Sequence, residues 1–193
     1  MTEPERLGIF GGTFDPLHIG HLVAARSVRH DLHLDRVLFV VANVPWQKVG
    51  ERVITAVEHR YAMVEAVLEE IDGLDASDLE IRRGGESYTA DTLRDLGHPR
   101  RELFLILGSD AAHGLPTWER ADEVRELASI VVVERPGSAG LEPPHGWSWA
   151  TVSCPLLDLS SSDLRQRMAT GRPVEHLVPD AVLEYIDGHG LYR

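Results

Sequence analysis

The sequence contains one cysteine, Cys154, and no long run of apolar residues. A single cysteine excludes an internal disulfide and fits a reducing compartment. The first residues, MTEPER, lack the apolar core of a secretory signal, and no apolar segment is long enough to cross a bilayer. We therefore expect a cytoplasmic protein that does not bind a membrane.

Basic residues are also scarce, with 19 Lys and Arg against 31 Asp and Glu and a formal net charge of −12. A chain this acidic is poorly suited to wrapping nucleic acid, so we expect no nucleic acid partner. Local positive charge would have to meet any anionic substrate. Lysine is rarer still, because Lys48 is the only one and the other basic residues are all arginines.

Short apolar runs predict an α/β protein. We expect buried strands at residues 7–10, 36–41, 79–81, 103–107 and 130–133. An apolar stripe from Leu22 to Leu32 predicts a helix after the first strand, and strand, helix, strand implies a right-handed parallel crossover. Further helices are predicted at 57–71, after Ser160 and after Pro179, with an irregular loop at 137–149. The 193 residues suit a single domain, 1–193, built on a Rossmann-like, doubly wound parallel sheet.

The segment GIFGGTFDPLHIGH, residues 8–21, is typical of a strand, a glycine-rich turn and a helix. Gly11 and Gly12 allow backbone N–H groups to approach an anion closely, and the helix start adds donors and a positive dipole end. His18 and His21 lie on the same side of that helix, so both can reach one phosphate. Taken singly, a glycine-rich turn between a strand and a helix often has no binding role. A histidine pair at this spacing is often just part of the polar face of a helix. A zinc site lacks a third ligand at a familiar spacing, so we expect no protein-bound metal.

Two later segments also place hydrogen-bond donors at helix starts. The turn entering a helix at Tyr88 and Thr89 presents free N–H groups to an anion, although its hydroxyl residues also fit plain helix caps. In the second segment Arg165 follows one turn after three serines, and hydroxyls, open N–H groups and an arginine make a phosphate cradle. The alternative there is a simple N-cap. The serines are Ser160, Ser161 and Ser162.

Three single residues have both a functional and a structural interpretation. Lys48 lies in the loop after the second predicted strand, where it could contact a polyphosphate or simply be solvated. Asp110 follows the strand at 103–107, where it could accept hydrogen bonds from a ribose or cap the next helix. Trp118 could stack on an aromatic ligand or pack in the core, and Thr117 before it fits a helix N-cap.

Residues 11–21 closely resemble the signature of the nucleotidylyltransferases, (T/G)GxFDPxHxGH. Residues 85–93, GESYTADTL, resemble the GxSYTxDTL motif of the nicotinate-nucleotide adenylyltransferases. Residues 159–165, LSSSDLR, resemble that family's (I/V)SS(T/S)x(I/L)R, with Leu159 and Ser162 in place of the more usual Ile and Thr. The family's Pro-His-Lys pattern appears here as Trp46-Gln47-Lys48, so the lysine carries over and the histidine does not. The resemblance extends from Leu7 to Tyr192.

The resemblance implies an enzyme that joins ATP and nicotinate mononucleotide into deamido-NAD and pyrophosphate, with Mg²⁺ carried largely by the ATP phosphates. It implies catalytic roles for His18, His21, Lys48 and Arg165, ATP binding by Gly11, Gly12, Thr13, Phe14, Ser160, Ser161 and Ser162, and nicotinate-nucleotide binding by Asp15, Tyr88, Thr89, Asp110 and Trp118. The alternatives are an enzyme of the same fold acting on nicotinamide mononucleotide or phosphopantetheine, and a nucleotide-binding module without turnover. A homo-oligomer is compatible with the sequence.

Overall fold

The computed structural model describes residues 3–45, 54–133, 143–155 and 157–193. Within them the strands are β1 (Glu5–Gly12), β2 (Arg36–Val41), β3 (Leu74–Ser77), β4 (Arg101–Gly108), β5 (Ser129–Val133) and β6 (Trp149–Val152). These strands form one sheet in the order β3-β2-β1-β4-β5-β6, and every pairing is parallel. This is the doubly wound order of a Rossmann-like sheet, so the predicted fold class is confirmed.

The centre of the sheet is formed by the strands that the sequence marks most clearly. Ile9 of β1 lies between Leu38 of β2 and Leu105 of β4. The five residues of β2 from Val37 to Val41 are all buried. Burial on both faces is typical of an interior strand in a parallel sheet, and it explains why this strand is a continuous apolar run.

Helices cover both faces of the sheet. They are α1 (Ile19–Asp31), α2 (Val57–Leu68), α3 (Leu79–Arg83), α4 (Thr89–Leu96), α5 (Ser109–His113), α6 (Ala121–Leu127), α7 (Ser161–Ala169) and α8 (Asp180–His189), with a 3₁₀ turn at Leu115–Thr117. The apolar sides of α1, α2, α7 and α8 bury one face of the sheet, and those of α4, α5 and α6 bury the other. None of these described helices is long and apolar enough to cross a membrane.

The sheet order creates one crevice at which ligands are expected. The crossover from β1 leads through α1 to β2 on one side, whereas β4 pairs with β1 on its other side. The loops that leave the carboxyl ends of β1 and β4 therefore diverge, and this switch point is where doubly wound sheets bind ligands.

The structure corrects several local predictions. Residues 79–81 belong to α3, and the strand that pairs with β2 is β3, which precedes them. Two alternating apolar residues do not distinguish a strand from a short helix. Trp149, predicted to lie in a loop, begins β6, while residues 143–148 are irregular as expected. Residues 134–142 lie outside the described part of the chain. Helix α2 ends at Leu68 rather than at residue 71.

A buried arginine joins the loops at this edge of the sheet. Arg60 of α2 is 1% exposed. Its guanidinium donates to the carbonyl oxygens of Thr13, Ala42 and Asn43 at 2.9, 2.7 and 3.0 Å, and to that of Thr55 at 2.8 Å. Buried backbone acceptors need partners, and this single cation supplies donors to the loops after β1 and β2 together.

We expect Arg60→Leu to lower the free energy of unfolding by about 3 kcal/mol, because it leaves several buried carbonyl groups without that donor. Urea denaturation would measure the loss. The matched control is Arg26→Leu, which removes an exposed arginine from α1 and should change stability by no more than about 0.5 kcal/mol. Equal stability of the two variants would contradict the bridging role of Arg60.

Candidate active site

A cavity of about 450 Å³ opens at the carboxyl ends of β1 and β4. Every predicted site residue that the structure describes lines it: Gly11, Gly12, Thr13, Phe14, Asp15, His18, His21, Tyr88, Thr89, Asp110, Trp118, Ser160, Ser161, Ser162 and Arg165. Lys48 lies outside the described residues. Residues separated by 150 positions, such as Asp15 and Arg165, are thus brought to a single cavity, which is the arrangement that the sequence motifs require.

Four of the described helices begin at this cavity. The N-cap residues of α1, α4, α5 and α7 are His18, Tyr88, Gly108 and Ser160, and all four line it. Helix N-termini carry backbone N–H donors and the positive end of the helix dipole. The cavity is therefore suited to anions, although the chain as a whole is acidic.

The two signature histidines lie side by side at the start of α1. His18 is extended at φ −144°, its ring centroid lies 3.7 Å from that of His21, and only 3% of its surface is exposed. The backbone N–H of His18 donates to Nδ1 of His21 at 3.2 Å. A neutral His21 that accepts at Nδ1 carries its proton on Nε2, where it can donate to a phosphoryl oxygen.

Packing of aromatic rings fixes the glycine-rich turn. Phe14 adopts φ +47° and places its ring 5.1 Å from the ring of His21 and 5.5 Å from that of Phe39. A Cβ atom on Gly12 would lie 2.7 Å from the Phe14 ring, so a side chain cannot be accommodated there without a shift. A Cβ atom on Gly11 would meet nothing within 4 Å, and the space beside it belongs to the cavity.

Direct hydrogen bonds join the serine-arginine segment to the glycine-rich turn. Ser160 caps α7 by accepting from the N–H of Asp163 at 3.1 Å, which is the alternative role that the sequence offered for it. Ser161 Oγ donates to the carbonyl of Pro16 at 2.9 Å. Arg165 donates to the carbonyl of Asp15 at 2.6 Å and to Ser162 Oγ at 3.0 Å. The two motifs therefore form one continuous wall of the cavity.

The opposite wall is the turn before α4, and it is fastened to the loop after β2. The N–H of Asn43 donates to Ser87 Oγ at 2.8 Å, and the N–H of Ser87 donates to the carbonyl of Val44 at 3.0 Å. Asn43 Nδ2 donates to the carbonyl of Gly85 at 2.8 Å. These bonds fix the backbone that leads into Tyr88 and Thr89.

A buried carboxyl group, which the sequence motifs did not indicate, supports this wall from behind. Glu80 of α3 is 7% exposed and also lines the cavity. The hydroxyls of Thr92 and Ser87 hydrogen-bond to it. Burial raises the pKa of Glu80 above its ordinary value, even though these hydrogen bonds and the nearby Arg83 act to lower it.

An ion pair connects the Tyr88 wall to the loop that carries Trp118. Arg120 donates to both carboxylate oxygens of Asp91 at 2.8 and 2.6 Å, and this partner is the main cause that lowers the pKa of Asp91. Arg120, at φ +55°, is the N-cap of α6, whereas the predicted cap Thr117 lies in the 3₁₀ turn. The bidentate pair joins α4 to the segment that follows Trp118. Asp110 is exposed in the first turn of α5.

Sequence reasoning missed the residues that act through other residues. Arg60, Glu80 and Arg120 each hold a predicted segment in place, and their partners lie outside their own motif. In the sequence, Arg60 belongs to the segment EHRYAM, residues 58–63, on a predicted helix, and an ordinary position on the charged outer side of that helix was the favoured interpretation. Asp15 was predicted to bind the nicotinate nucleotide. In the structure it is 1% exposed, and its carboxylate accepts a hydrogen bond from the hydroxyl of Tyr192 at 2.6 Å.

This combination of a doubly wound sheet, a glycine-rich turn, paired histidines and a serine-arginine segment defines a nucleotide-binding transferase. Residues 9–167 match the family model described as cytidylyltransferase-like. A "Probable nicotinate-nucleotide adenylyltransferase" of Saccharopolyspora erythraea is 43% identical over all of this chain and 92% of the relative. A protein of the same name from Streptomyces coelicolor is 47% identical over 95% of this chain and 98% of the relative.

Solved structures share the fold. The Plasmodium falciparum nicotinic acid mononucleotide adenylyltransferase complexed with NaAD superposes with a TM-score of 0.80 at 18% identity, covering 97% of each chain. The same protein complexed with APC gives a TM-score of 0.77. The chain belongs to the cytidylyltransferase-like family and, within it, to the nicotinate-nucleotide adenylyltransferases.

We expect the free energy of unfolding of Glu80→Gln to increase relative to that of the parent protein as the pH rises through and above the ordinary pKa of a glutamate. Because the pKa of Glu80 is raised on folding, the unfolded chain loses this proton first, and the stability that the group contributes at low pH declines as the pH rises. Glutamine retains an oxygen that can accept from Thr92. Denaturant unfolding at several pH values would measure the difference, with exposed Glu126→Gln as the control. A pH-independent difference would contradict the expectation.

Proposed function

We propose that this cavity transfers the adenylyl group of ATP to nicotinate mononucleotide, giving deamido-NAD and pyrophosphate. The observation that supports this most directly is that the histidine turn and the serine-arginine segment form one wall, while Tyr88, Thr89 and Trp118 line the other side. One wall offers donors to phosphates and the other offers donors and an aromatic ring. Two nucleotides can therefore meet at the cavity.

The reaction needs alignment more than it needs acid-base chemistry. The 5′-phosphate of nicotinate mononucleotide is already an anionic nucleophile, so no covalent intermediate is required. Holding it in line with the α-phosphorus of ATP, and stabilising the charge that develops there, supplies the catalysis. We assign the stabilising contacts to the Nε2 side of His21 and to His18, which lie at the start of α1.

The other predicted residues divide between the two nucleotides. Around ATP we place the backbone of the turn at Gly11, Gly12, Thr13 and Phe14, the hydroxyls of Ser160, Ser161 and Ser162, Arg165 on the β- and γ-phosphates, and Lys48, which follows β2 in the sequence. Around the acceptor we place the amides of Tyr88 and Thr89 on the carboxylate, the indole of Trp118 on the pyridine ring, and Asp110 on the ribose. The carboxylate of Asp15 is committed to Tyr192, so we assign it to the support of this site rather than to direct contact.

We expect Mg²⁺ to enter with ATP. Among the described residues, no group of three histidine, cysteine or acidic side chains is placed to hold a metal ion. The Asp15 carboxylate beside the phosphate wall is buried and already accepts a hydrogen bond. The ATP phosphates would therefore supply most of the ligands, and the bound ion would neutralise charge on those phosphates and on the leaving pyrophosphate.

The acid substrate should be preferred over its amide. Backbone N–H groups bind a carboxylate through charge-assisted hydrogen bonds, which a carboxamide cannot fully replace. We expect kcat/KM for nicotinate mononucleotide to exceed that for nicotinamide mononucleotide by at least about tenfold. Pyrophosphate release with ATP and each nucleotide in turn would test this. Equal or faster turnover of the amide would overturn the acceptor assignment, and no turnover of either would overturn the function.

Both signature histidines should contribute to kcat. We expect His18→Ala and His21→Ala each to lower kcat by about 10²–10³-fold, because each removes a preorganised donor to transition-state charge. The exposed His30 in the last turn of the same helix provides a matched control, and His30→Ala should retain parental activity. A folded His18 or His21 variant with near-parental kcat would show that the residue is only part of the helix surface.

A further inference from the structure

Glu80 of α3 is a buried carboxyl group that lies against the turn before α4 and reaches the cavity. It is 7% exposed, and it lines the same cavity as Ser87, Tyr88 and Thr89. The hydroxyl of Thr92 donates to one of its oxygens, and the hydroxyl of Ser87 also hydrogen-bonds to it. Glu80 therefore contacts residues on both sides of Tyr88 and Thr89 in the chain.

Each hydroxyl that binds Glu80 is itself held by a second donor. The N–H of Asn43 donates to Ser87 Oγ at 2.8 Å, and Arg83 donates to Thr92 Oγ1 at 3.1 Å. A hydroxyl whose oxygen accepts one hydrogen bond can direct its own proton to another acceptor. The carboxyl group is the acceptor at which both chains of hydrogen bonds end. It therefore connects the loop after β2 to the first turn of α4.

The chain between α3 and this turn contains two glycines. Gly84 ends α3 at φ +72° and ψ 176°, a backbone region that is essentially restricted to glycine, and Gly85 follows at φ +71°. A Cβ atom at either glycine would meet no atom of the described chain within 4 Å. Packing around the glycines therefore does little to fix the turn, and hydrogen bonds to Glu80 and to the loop after β2 hold it in place.

We propose that Glu80 is a positioning residue for the acceptor nucleotide, which keeps the amides of Tyr88 and Thr89 aligned with the substrate carboxylate. This inference rests on the proposed function for the identity of that substrate. A hydrogen bond weakens steeply when its donor is misaligned, and a charge-assisted bond has about twice as much to lose as a bond to a neutral amide. Glu80 thus supports the preference for the acid through the turn rather than through contact with the substrate.

The charge of Glu80 alone would act in the opposite direction. A carboxylate beside the cavity repels a second carboxylate, so its removal would by itself favour the acid substrate. The hydroxyls of Ser87 and Thr92 donate to Glu80, and Arg83 Nη2 lies 3.8 Å from Glu80 Oε1. These groups offset the charge, so that positioning outweighs repulsion. The two effects predict opposite changes in the preference for the acid.

The test is the acid-to-amide ratio, which is kcat/KM for nicotinate mononucleotide divided by kcat/KM for nicotinamide mononucleotide, measured by pyrophosphate release at saturating ATP. Both values come from one preparation, so a loss of folded protein lowers them equally and leaves the ratio unchanged. We expect Glu80→Ala to lower the ratio by about fivefold or more, and Glu80→Gln, which keeps an oxygen acceptor, to stay within about twofold of the parent. KM for ATP should change by less than about twofold in both variants.

Thr92 tests the same contact from α4. Thr92→Val removes the donor to Glu80 at nearly the same shape and should lower the ratio by about threefold, whereas Thr92→Ser keeps the hydroxyl and should retain the parental ratio. Asp95→Asn is the matched control for the carboxylates around Arg83, because Asp95 pairs with Arg83 at 2.9 Å and does not line the cavity. This control should also keep the parental ratio. The Thr92 pair decides the matter if Glu80→Ala does not fold.

An acid-to-amide ratio that is unchanged or raised in Glu80→Ala overturns the proposal, and a raised ratio shows that repulsion dominates. Equal ratios for Thr92→Val and Thr92→Ser overturn it as well. Failure of the proposed function looks different: a parent protein that releases no pyrophosphate with either nucleotide, or that does not prefer the acid, overturns the function and this inference together. Parental preference for the acid in every variant contradicts only the positioning role of Glu80.

Discussion

The geometry of this site depends on the guanidinium of Arg60. Loops that leave parallel strands expose carbonyl groups at the edge of a sheet, and burying them without donors is costly. Arg60 donates to such carbonyls in the turn after β1, which contains Thr13, and in the loop after β2, which contains Asn43. Asn43 in turn bonds to Ser87. The wall that contains the glycine-rich turn and the wall formed by the turn before α4 are therefore positioned relative to each other by one buried side chain.

The electrostatics of the cavity follow from where the helices start. The chain has a net charge of −12, and Arg165 is the only arginine or lysine among the described residues that lines the cavity. Four helix N-termini converge there instead, at His18, Tyr88, Gly108 and Ser160. Backbone donors and dipoles supply positive potential locally, without changing the acidic character of the remaining surface.

The sequence predicts the fold class and the cavity lining well where the determining residues lie close together in the chain. Strands such as β2 are apolar on both faces, and the motif residues lie within a few positions of their neighbours, so fold class and cavity lining could both be anticipated. The edge strands β3 and β6 were missed because LDAS and WATV are short and only partly buried. Arg60 and Glu80 were missed because their function depends on partners that only the folded chain brings near.

The bond between Tyr192 and Asp15 also has a consequence for synthesis. The ribosome synthesises a chain from its amino terminus, so Asp15 emerges from the ribosome long before residue 192 has been translated. Domains fold largely as units once enough of their chain has emerged. The glycine-rich turn therefore gains this partner only after almost the whole sequence has been translated, and a nascent chain that has already formed β1, α1 and β2 still lacks the finished wall of the cavity.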